Sequence, residues 1–338
     1  MPTLALVMIA RNEQRCIVRS LRSMRPWVDL MIVLDTGSTG DTVALAQAEG
    51  AQVHHFNWVD DFSAARNAAL ALSPCDWNLI LDADETLCSA GETLSALRQQ
   101  APDFVGRIEV RSSFTVAGQA GLQSASSWMP RVLPRGVRYQ GRIHEQPVSG
   151  LPRRDLAIAA LHDGYLPAHL QTKGARNQRL LEAAIQAAPN DPYLHYQLGK
   201  DHEVHDRFES AWACYDLALA QLGPQAGREP PWRHDLILRS LYALKATGRL
   251  EQAVQLSEAE MPRWPDSPDF YFVLGDVLLD LALAQLEQAH ALLPMIQAAW
   301  ERCLIIGDNP LLEGAVQGRG SHLARHNLDA LHATTATL

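Results

Sequence analysis

The 338-residue sequence has few cysteines and no long apolar run. Its five cysteines are widely spaced without a CxxC pair, which favours reduced thiols over a disulfide framework or a zinc site. The first apolar run, Leu4–Ala10, is far shorter than the roughly 20 residues that span a bilayer. It also lacks the basic flank of a signal peptide. We therefore expect a cytoplasmic protein without an integral membrane segment.

Positive charge is also scarce. Lys and Arg number 29 against 38 Asp and Glu, which gives a net charge of -9. No general basic field is present to attract nucleic acid, so we expect no nucleic-acid partner, and a phosphate ligand would need a local site. The apolar content of 47% is that of an ordinary globular protein. The length predicts about two domains.

The first hundred residues predict an α/β domain with a Rossmann-like, mostly parallel sheet, because short β-rich runs alternate with helical patterns. The predicted strands are Leu4–Ala10, Leu30–Leu34, Gln52–Phe56 and Trp77–Leu81, and the predicted helices are Cys16–Met24, Thr42–Glu49 and Asp61–Leu72. Ligands of open α/β sheets bind beyond the carboxyl ends of the strands, which is where Asp35 and Asp82 fall.

Residues after about Thr172 predict an all-α domain. Prolines separate the helical segments, and Leu198-Gly199 is followed by Ala211, Tyr215 and Ala218 at the spacing of a tetratricopeptide unit. A generic helical bundle is the alternative. We place the two domains at residues 1–171 and 172–338, with short extended runs between about residues 104 and 165.

Three groups of polar residues have both a functional and a structural explanation. Asp82 and Asp84 would face one cation from an extended segment, or belong to a solvated loop and a cap for a helix starting near Thr86. Asp35 would bind a base or ribose, or close a tight turn. Arg66 would bind phosphate, or lie on a solvated helix face.

Together, four segments resemble family 2 glycosyltransferases of the GT-A fold. They are Met8–Glu13, Val33–Thr39, Trp58–Asn67 and Leu81–Glu85. With the helical repeats, the chain is most similar to the branch that includes the sublancin-type peptide S-glycosyltransferases. One departure is visible, because Gly40 stands where the family turn usually has an aspartate.

The resemblance implies a UDP-sugar donor and a Mn²⁺ or Mg²⁺ cofactor. The residues implied in donor binding are Ala10, Asn12, Glu13, Asp35, Arg66, Asp82 and Ala83. Asp84 is the implied principal metal ligand and a catalytic residue, and Asp82 would touch the ribose or the metal. His162 or His144 would complete the metal shell, or be a hydrogen-bonded structural residue. Glu145 is our first choice for the catalytic base, on position and chemistry.

The function implied is inverting transfer of a hexose, with glucose from UDP-glucose as the best guess, onto a protein or peptide. The helical domain would position that acceptor. One alternative is a lipopolysaccharide or other glycan acceptor. Another, of a different class, is an inactive scaffold that uses its repeats to recruit a partner. The oligomeric state stays open.

Overall fold

The computed structural model describes residues 1–114, 123–162, 174–223 and 229–335. The chain divides into two compact units. Unit 1 comprises the described residues of Met1–Leu122 and Ser127–Leu180, and unit 2 those of Gln123–Ser126 and Leu181–Leu338. The predicted boundary between residues 171 and 172 lies outside the described residues.

Unit 1 is built on a mostly parallel sheet with the strand order β3-β2-β1-β4-β7-β6-β10-β5. Neighbours are parallel from β3 to β4, while β4–β7 and β10–β5 are antiparallel. A separate two-stranded sheet pairs β8 with β9. The strands are β1 (Leu4–Ala10), β2 (Leu30–Asp35), β3 (Gln52–His55), β4 (Trp77–Ile80), β5 (Glu85–Ser89), β6 (Val105–Phe114), β7 (Gln123–Pro134), β8 (Arg138–Gln140), β9 (Gln146–Val148) and β10 (Arg153–His162).

Helices cover both faces of this sheet. They are α1 (Ile17–Met24), α2 (Thr42–Ala48), α3 (Phe62–Ala71) and α4 (Gly91–Leu97). Side chains alternate along β1, so Leu4, Leu6 and Met8 belong to the core that also contains residues of α1, α2 and α4. Ala5 and Val7 belong to the opposite core, which contains residues of α3. The predicted α/β class is confirmed, and each predicted strand and helix is present within one or two residues.

One structural alternative is excluded. Asp82 and Asp84 do not cap a helix starting near Thr86, because Glu85–Ser89 forms β5 and the next helix begins at Gly91. The reason is pairing, because β5 runs antiparallel to β10 and places Glu85 opposite His162. This pairing places Glu85 within the sheet, where its side chain is buried.

Helices dominate unit 2. They are α5 (Gly174–Ala187, which begins in unit 1), α6 (Pro192–Val204), α7 (Phe208–Leu222), α8 (Arg233–Ala246), α9 (Leu250–Glu260), α10 (Pro268–Ala284), α11 (Leu286–Ile306) and α12 (His322–Thr335). A short strand, β11 (Ala315–Val316), pairs with the beginning of β7. The predicted all-α class of this half is confirmed.

Two glycines allow close packing within the helix pairs of unit 2. A Cβ at Gly199 of α6 would collide with the Tyr215 ring of α7, and a Cβ at Gly275 of α10 would collide with Trp300 of α11. Both aromatic rings are almost completely buried. The predicted small-and-aromatic spacing therefore corresponds to direct helix contacts. In the described part of the chain, no helix has the length and apolar character required to span a membrane.

Candidate active site

The loops that follow β1 and β2 are tied together by hydrogen bonds. The backbone N–H of Asn12 donates to Ser38 Oγ at 2.9 Å, and Asn12 Oδ1 accepts from the backbone N–H of Thr39 at 2.9 Å. Asn12 itself has a φ of +59°, which asparagine tolerates better than most residues. The Gln14 side chain packs closely over Gly40, and its Oε1 accepts from the backbone N–H of Asp41 at 3.1 Å.

Asp35, at the end of β2, closes the turn with its buried carboxylate. It accepts hydrogen bonds from the backbone N–H groups of Gly37 and Ser38 at 3.1 to 3.2 Å, and His55 Nδ1 lies 3.5 Å away. Burial opposes the charge, but the hydrogen bonds from Ser38, Gly37 and His55 hold the pKa of Asp35 below its ordinary value. Asp35 is therefore an ionised acceptor at the carboxyl end of the sheet.

Asp82, which closely follows β4, is held between two arginines. Arg66 Nη2 of α3 donates to Asp82 Oδ1 at 2.7 Å, and Arg131 Nη2 of β7 donates to Asp82 Oδ2 at 2.8 Å. Burial would raise the pKa of Asp82, but the two guanidinium groups hold it far below its ordinary value. Both carboxylate oxygens are thus engaged in ion pairs, and Asp82 belongs to a charge network with Arg66 and Arg131.

Glu145 joins the same network through Arg66. The Nε–H of Arg66 donates to Glu145 Oε1, and the Arg66 guanidinium lies 5.6 Å from the centre of the Tyr139 ring. Arg66 is 8% exposed, so it does not lie on a solvated helix face. The structure therefore brings together Arg66, Asp82 and Glu145, which the sequence singled out separately.

Arg131 and Glu85 complete the network, and sequence reasoning assigned neither a role. Arg131 Nη2 donates to Glu85 Oε1 at 2.8 Å, and Glu85 Oε2 accepts from the backbone N–H of Asp82 at 2.9 Å. Burial raises the pKa of Glu85 despite the opposing charge of Arg131. The one available signal was the position of Glu85 directly after the two aspartates.

Asp84, two residues after Asp82, faces His162 of β10. The distance from His162 Nε2 to Asp84 Oδ2 is 3.6 Å, and the opposite ring nitrogen, Nδ1, lies 3.2 Å from Ser112 Oγ. Burial lowers the pKa of His162, but the Asp84 carboxylate outweighs it and the pKa is raised. A carboxylate oxygen and an imidazole nitrogen therefore face each other at the end of the sheet.

This pair fits a divalent metal ion with few protein ligands. Among the residues that the structure describes, no three His, Cys, Asp or Glu side chains form a ready metal site. Mg²⁺ and Mn²⁺ sites often use one or two protein ligands and complete the shell with water and substrate phosphates. Asp84 and His162 suit that role, with Ser112 fixing the ring. His144 is exposed, with a φ of +50°.

The remaining predicted donor residues lie around the same strand ends. Ala10 and Ala83 are buried, at the end of β1 and between the two aspartates. Glu13 Oε2 accepts from the Cys16 thiol at 3.2 Å. Burial and Glu13 raise the pKa of Cys16 to about 12, so this thiol stays protonated.

Acidic side chains lie at the carboxyl ends of a parallel β3-β2-β1-β4 sheet, which is the edge where open α/β domains bind their ligands. Residues 5–104 match the family model described as Glycosyl transferase family 2. Residues 5–104 therefore form a family 2 glycosyltransferase domain, in agreement with the resemblance carried by the sequence motifs.

Two relatives are similar over most of the chain. A TPR repeat-containing protein of Synechococcus elongatus is 32% identical over 77% of this chain and 66% of its own length. The SPbeta prophage-derived glycosyltransferase SunS of Bacillus subtilis is 27% identical over 62% of this chain and 51% of its own. The chain thus spans about half to two thirds of these relatives. This agrees with the predicted combination of a glycosyltransferase domain and helical repeats.

Among solved structures, glucosyl-3-phosphoglycerate synthase from Mycobacterium tuberculosis, in complex with Mn²⁺ and UDP-glucose, is 26% identical. The match covers 32% of this chain and 44% of that chain, with a TM-score of 0.28. A score of that size supports no inference about ligands.

Proposed function

We propose that the chain is an inverting, metal-dependent hexosyltransferase that moves a sugar, with UDP-glucose as the first donor to test, onto a protein or peptide. The observation that carries the proposal is the Asp84–His162 pair beside the network centred on Asp82, at the carboxyl end of a family 2 glycosyltransferase sheet. The buried charges favour an active site over an inactive scaffold, because a buried network has a desolvation cost.

In this proposal Asp84 and His162 hold Mn²⁺ or Mg²⁺, which offsets negative charge on the leaving diphosphate. Asp82 orients the segment between the two aspartates, since Arg66 and Arg131 fix both of its oxygens. Asp35 binds the base or ribose from the end of β2. Asn12, Glu13, Ala10 and Ala83 shape the adjoining strand ends.

Glu145 is proposed as the base that takes the proton of the attacking nucleophile. Its carboxylate pairs with Arg66, so the structure holds this oxygen-bearing side chain in a fixed position beside the network. An inverting displacement needs such an acceptor on the face of the sugar opposite the leaving group. Arg66 then acts as a positioning residue for both Glu145 and Asp82.

The acceptor is proposed to bind the helical domain, which we place at residues 172–338 after a catalytic domain at residues 1–171. Stacked helix pairs form extended surfaces suited to polypeptides, and unit 2 has the small-and-aromatic contacts of such pairs. All five cysteines are free, which favours a reducing compartment such as the cytoplasm.

The test is a screen of UDP-sugars with Mn²⁺ against a cell lysate, followed by mass spectrometry of intact proteins and of extracted lipids. We expect hexose added to protein by the wild type, and loss of transfer in Asp84→Asn. The control is Asp155→Asn, because Asp155 is exposed and pairs only with Arg107 at the surface of β10. Sugar found only on lipid or glycan would contradict the polypeptide acceptor. No binding of any UDP-sugar would favour the scaffold.

A further inference from the structure

Arg176, near the beginning of α5, lies over two aromatic rings of unit 1. Its guanidinium carbon is 5.2 Å from the centre of the Phe62 ring and 5.9 Å from that of Trp58. Its hydrogen bonds run to the side-chain oxygen of Asn177, at 3.3 to 3.4 Å. Aromatic faces hold a guanidinium in place without neutralising its charge.

The position of Arg176 is close to the candidate active site. Phe62 begins α3, which follows the carboxyl end of β3. Phe62 and Arg66 are four residues apart on this helix, so their side chains lie on one face, about one turn from each other. Arg176 therefore lies over the first turn of α3, on the side of the sheet where ligands of such domains bind.

Arg176 differs from the other arginines of this region in its ion pairs. Arg66 and Arg131 each bind two carboxylates, and Arg179 binds Asp60 at 3.0 Å. Within the ranges that the structure describes, no carboxylate oxygen lies within 4.0 Å of the Arg176 guanidinium.

The surroundings also disfavour an isolated cation at this position. Burial and the charge of Arg11 lower the pKa of Arg176, while Asp60 and Glu13 partly oppose that effect. Arg11 follows β1 directly, so two cations approach the same strand end. A bound anion would stabilise both of them.

We propose that Arg176 is a donor-binding residue that contacts the diphosphate of the nucleotide sugar. This inference rests on the proposed function. It reassigns the direct phosphate contact expected of Arg66, whose guanidinium is engaged by Asp82 and Glu145. A guanidinium suits the role because its N–H groups match phosphate oxygens two at a time.

The experiment compares the binding of UDP, inorganic pyrophosphate and uridine by calorimetry in the wild type and in Arg176→Met. We expect UDP and pyrophosphate to bind about tenfold to a hundredfold more weakly to the variant, and uridine to bind equally, since only the phosphate contact is removed. The matched control is Arg179→Met, one turn along α5, which removes an exposed arginine already paired with Asp60. Its UDP affinity should stay within about twofold of the wild type.

Two results separate the possible failures. Equal UDP affinity in the wild type and Arg176→Met overturns the role of Arg176 and leaves the proposed function standing. A wild type that binds neither UDP nor UDP-sugar overturns both. If circular dichroism shows that Arg176→Met is unfolded, Arg176→Lys keeps the charge and removes the paired N–H geometry. Weaker UDP binding with unchanged uridine binding in Arg176→Lys supports the proposal, and unchanged UDP binding overturns it.

Discussion

Replacing Arg131 with methionine tests whether the buried network holds unit 1 together as well as its active site. Arg131 is 5% exposed, and its Nη2 donates hydrogen bonds to Asp82 Oδ2 and Glu85 Oε1 at 2.8 Å each. Removing one partner of a buried ion pair costs about 3 to 5 kcal/mol, because the remaining charge stays buried. Asp82 keeps Arg66, so we expect the lower part of that range, about 3 kcal/mol.

For a unit of this size, a loss of about 3 kcal/mol in the free energy of unfolding corresponds to a fall in melting temperature of about 10 °C. The assay is hydrogen exchange in peptides of β4 and β7 as denaturant is added, which follows unit 1 separately from unit 2. Arg131→Met/Glu85→Gln should recover more than half of the loss, since the uncompensated Glu85 charge is then absent. Arg135→Met, at an exposed position shortly after Arg131, should change stability by less than about 0.5 kcal/mol. A loss below about 1 kcal/mol, or a double variant no more stable than Arg131→Met, would refute the reasoning.

Three further predictions concern catalysis, packing and pH. Glu145→Gln should keep UDP affinity within about threefold but reduce transfer to acceptor by at least about a hundredfold, and persistent transfer would place the base elsewhere. Gly275→Ala should destabilise the helical unit by about 1 to 3 kcal/mol in chemical denaturation because of Trp300, and unchanged stability would contradict that contact. Burial raises the pKa of Asp276 to about 6, so its native form holds a proton that the unfolded form releases near pH 4. The contribution of Asp276 to stability should therefore fall by at most about 3 kcal/mol as the pH rises from 4 to 6, and Asp276→Asn, which can still bond to Asn327, should remove that part of the slope relative to the wild type.

Most of the fold was predictable because its signals are local. The alternation of β1 and the spacing of Gly199 and Tyr215 each lie within one or two elements. The strand at Glu85–Ser89 was not predictable in this way, because its partner is β10, more than 60 residues later in the chain. From the sequence alone, the short segment after Asp82 and Asp84 is equally compatible with a helix start and with a strand, and only the pairing with β10 decides between them.

The candidate site was predictable as a set of residues but not as a set of bonds. The sequence indicated Arg66, Asp82 and Glu145, and they meet in the structure. It did not indicate that Asp82 would be enclosed by two arginines, since ion pairs between distant segments leave no periodic pattern. The role of Arg131 depends on β7 lying beside β4, which is a property of topology.

The network around Asp82 has a consequence for the order in which this protein acquires its active site. Arg66 and Glu145 are 79 residues apart, and Asp82 and Arg131 are 49 apart. A nascent chain that ends before Arg131 can pair β1 with β4, but Asp82 and Glu85 then lack the Arg131 guanidinium. The candidate site therefore closes late in synthesis, and it stays incomplete until β10, which carries His162, has left the ribosome.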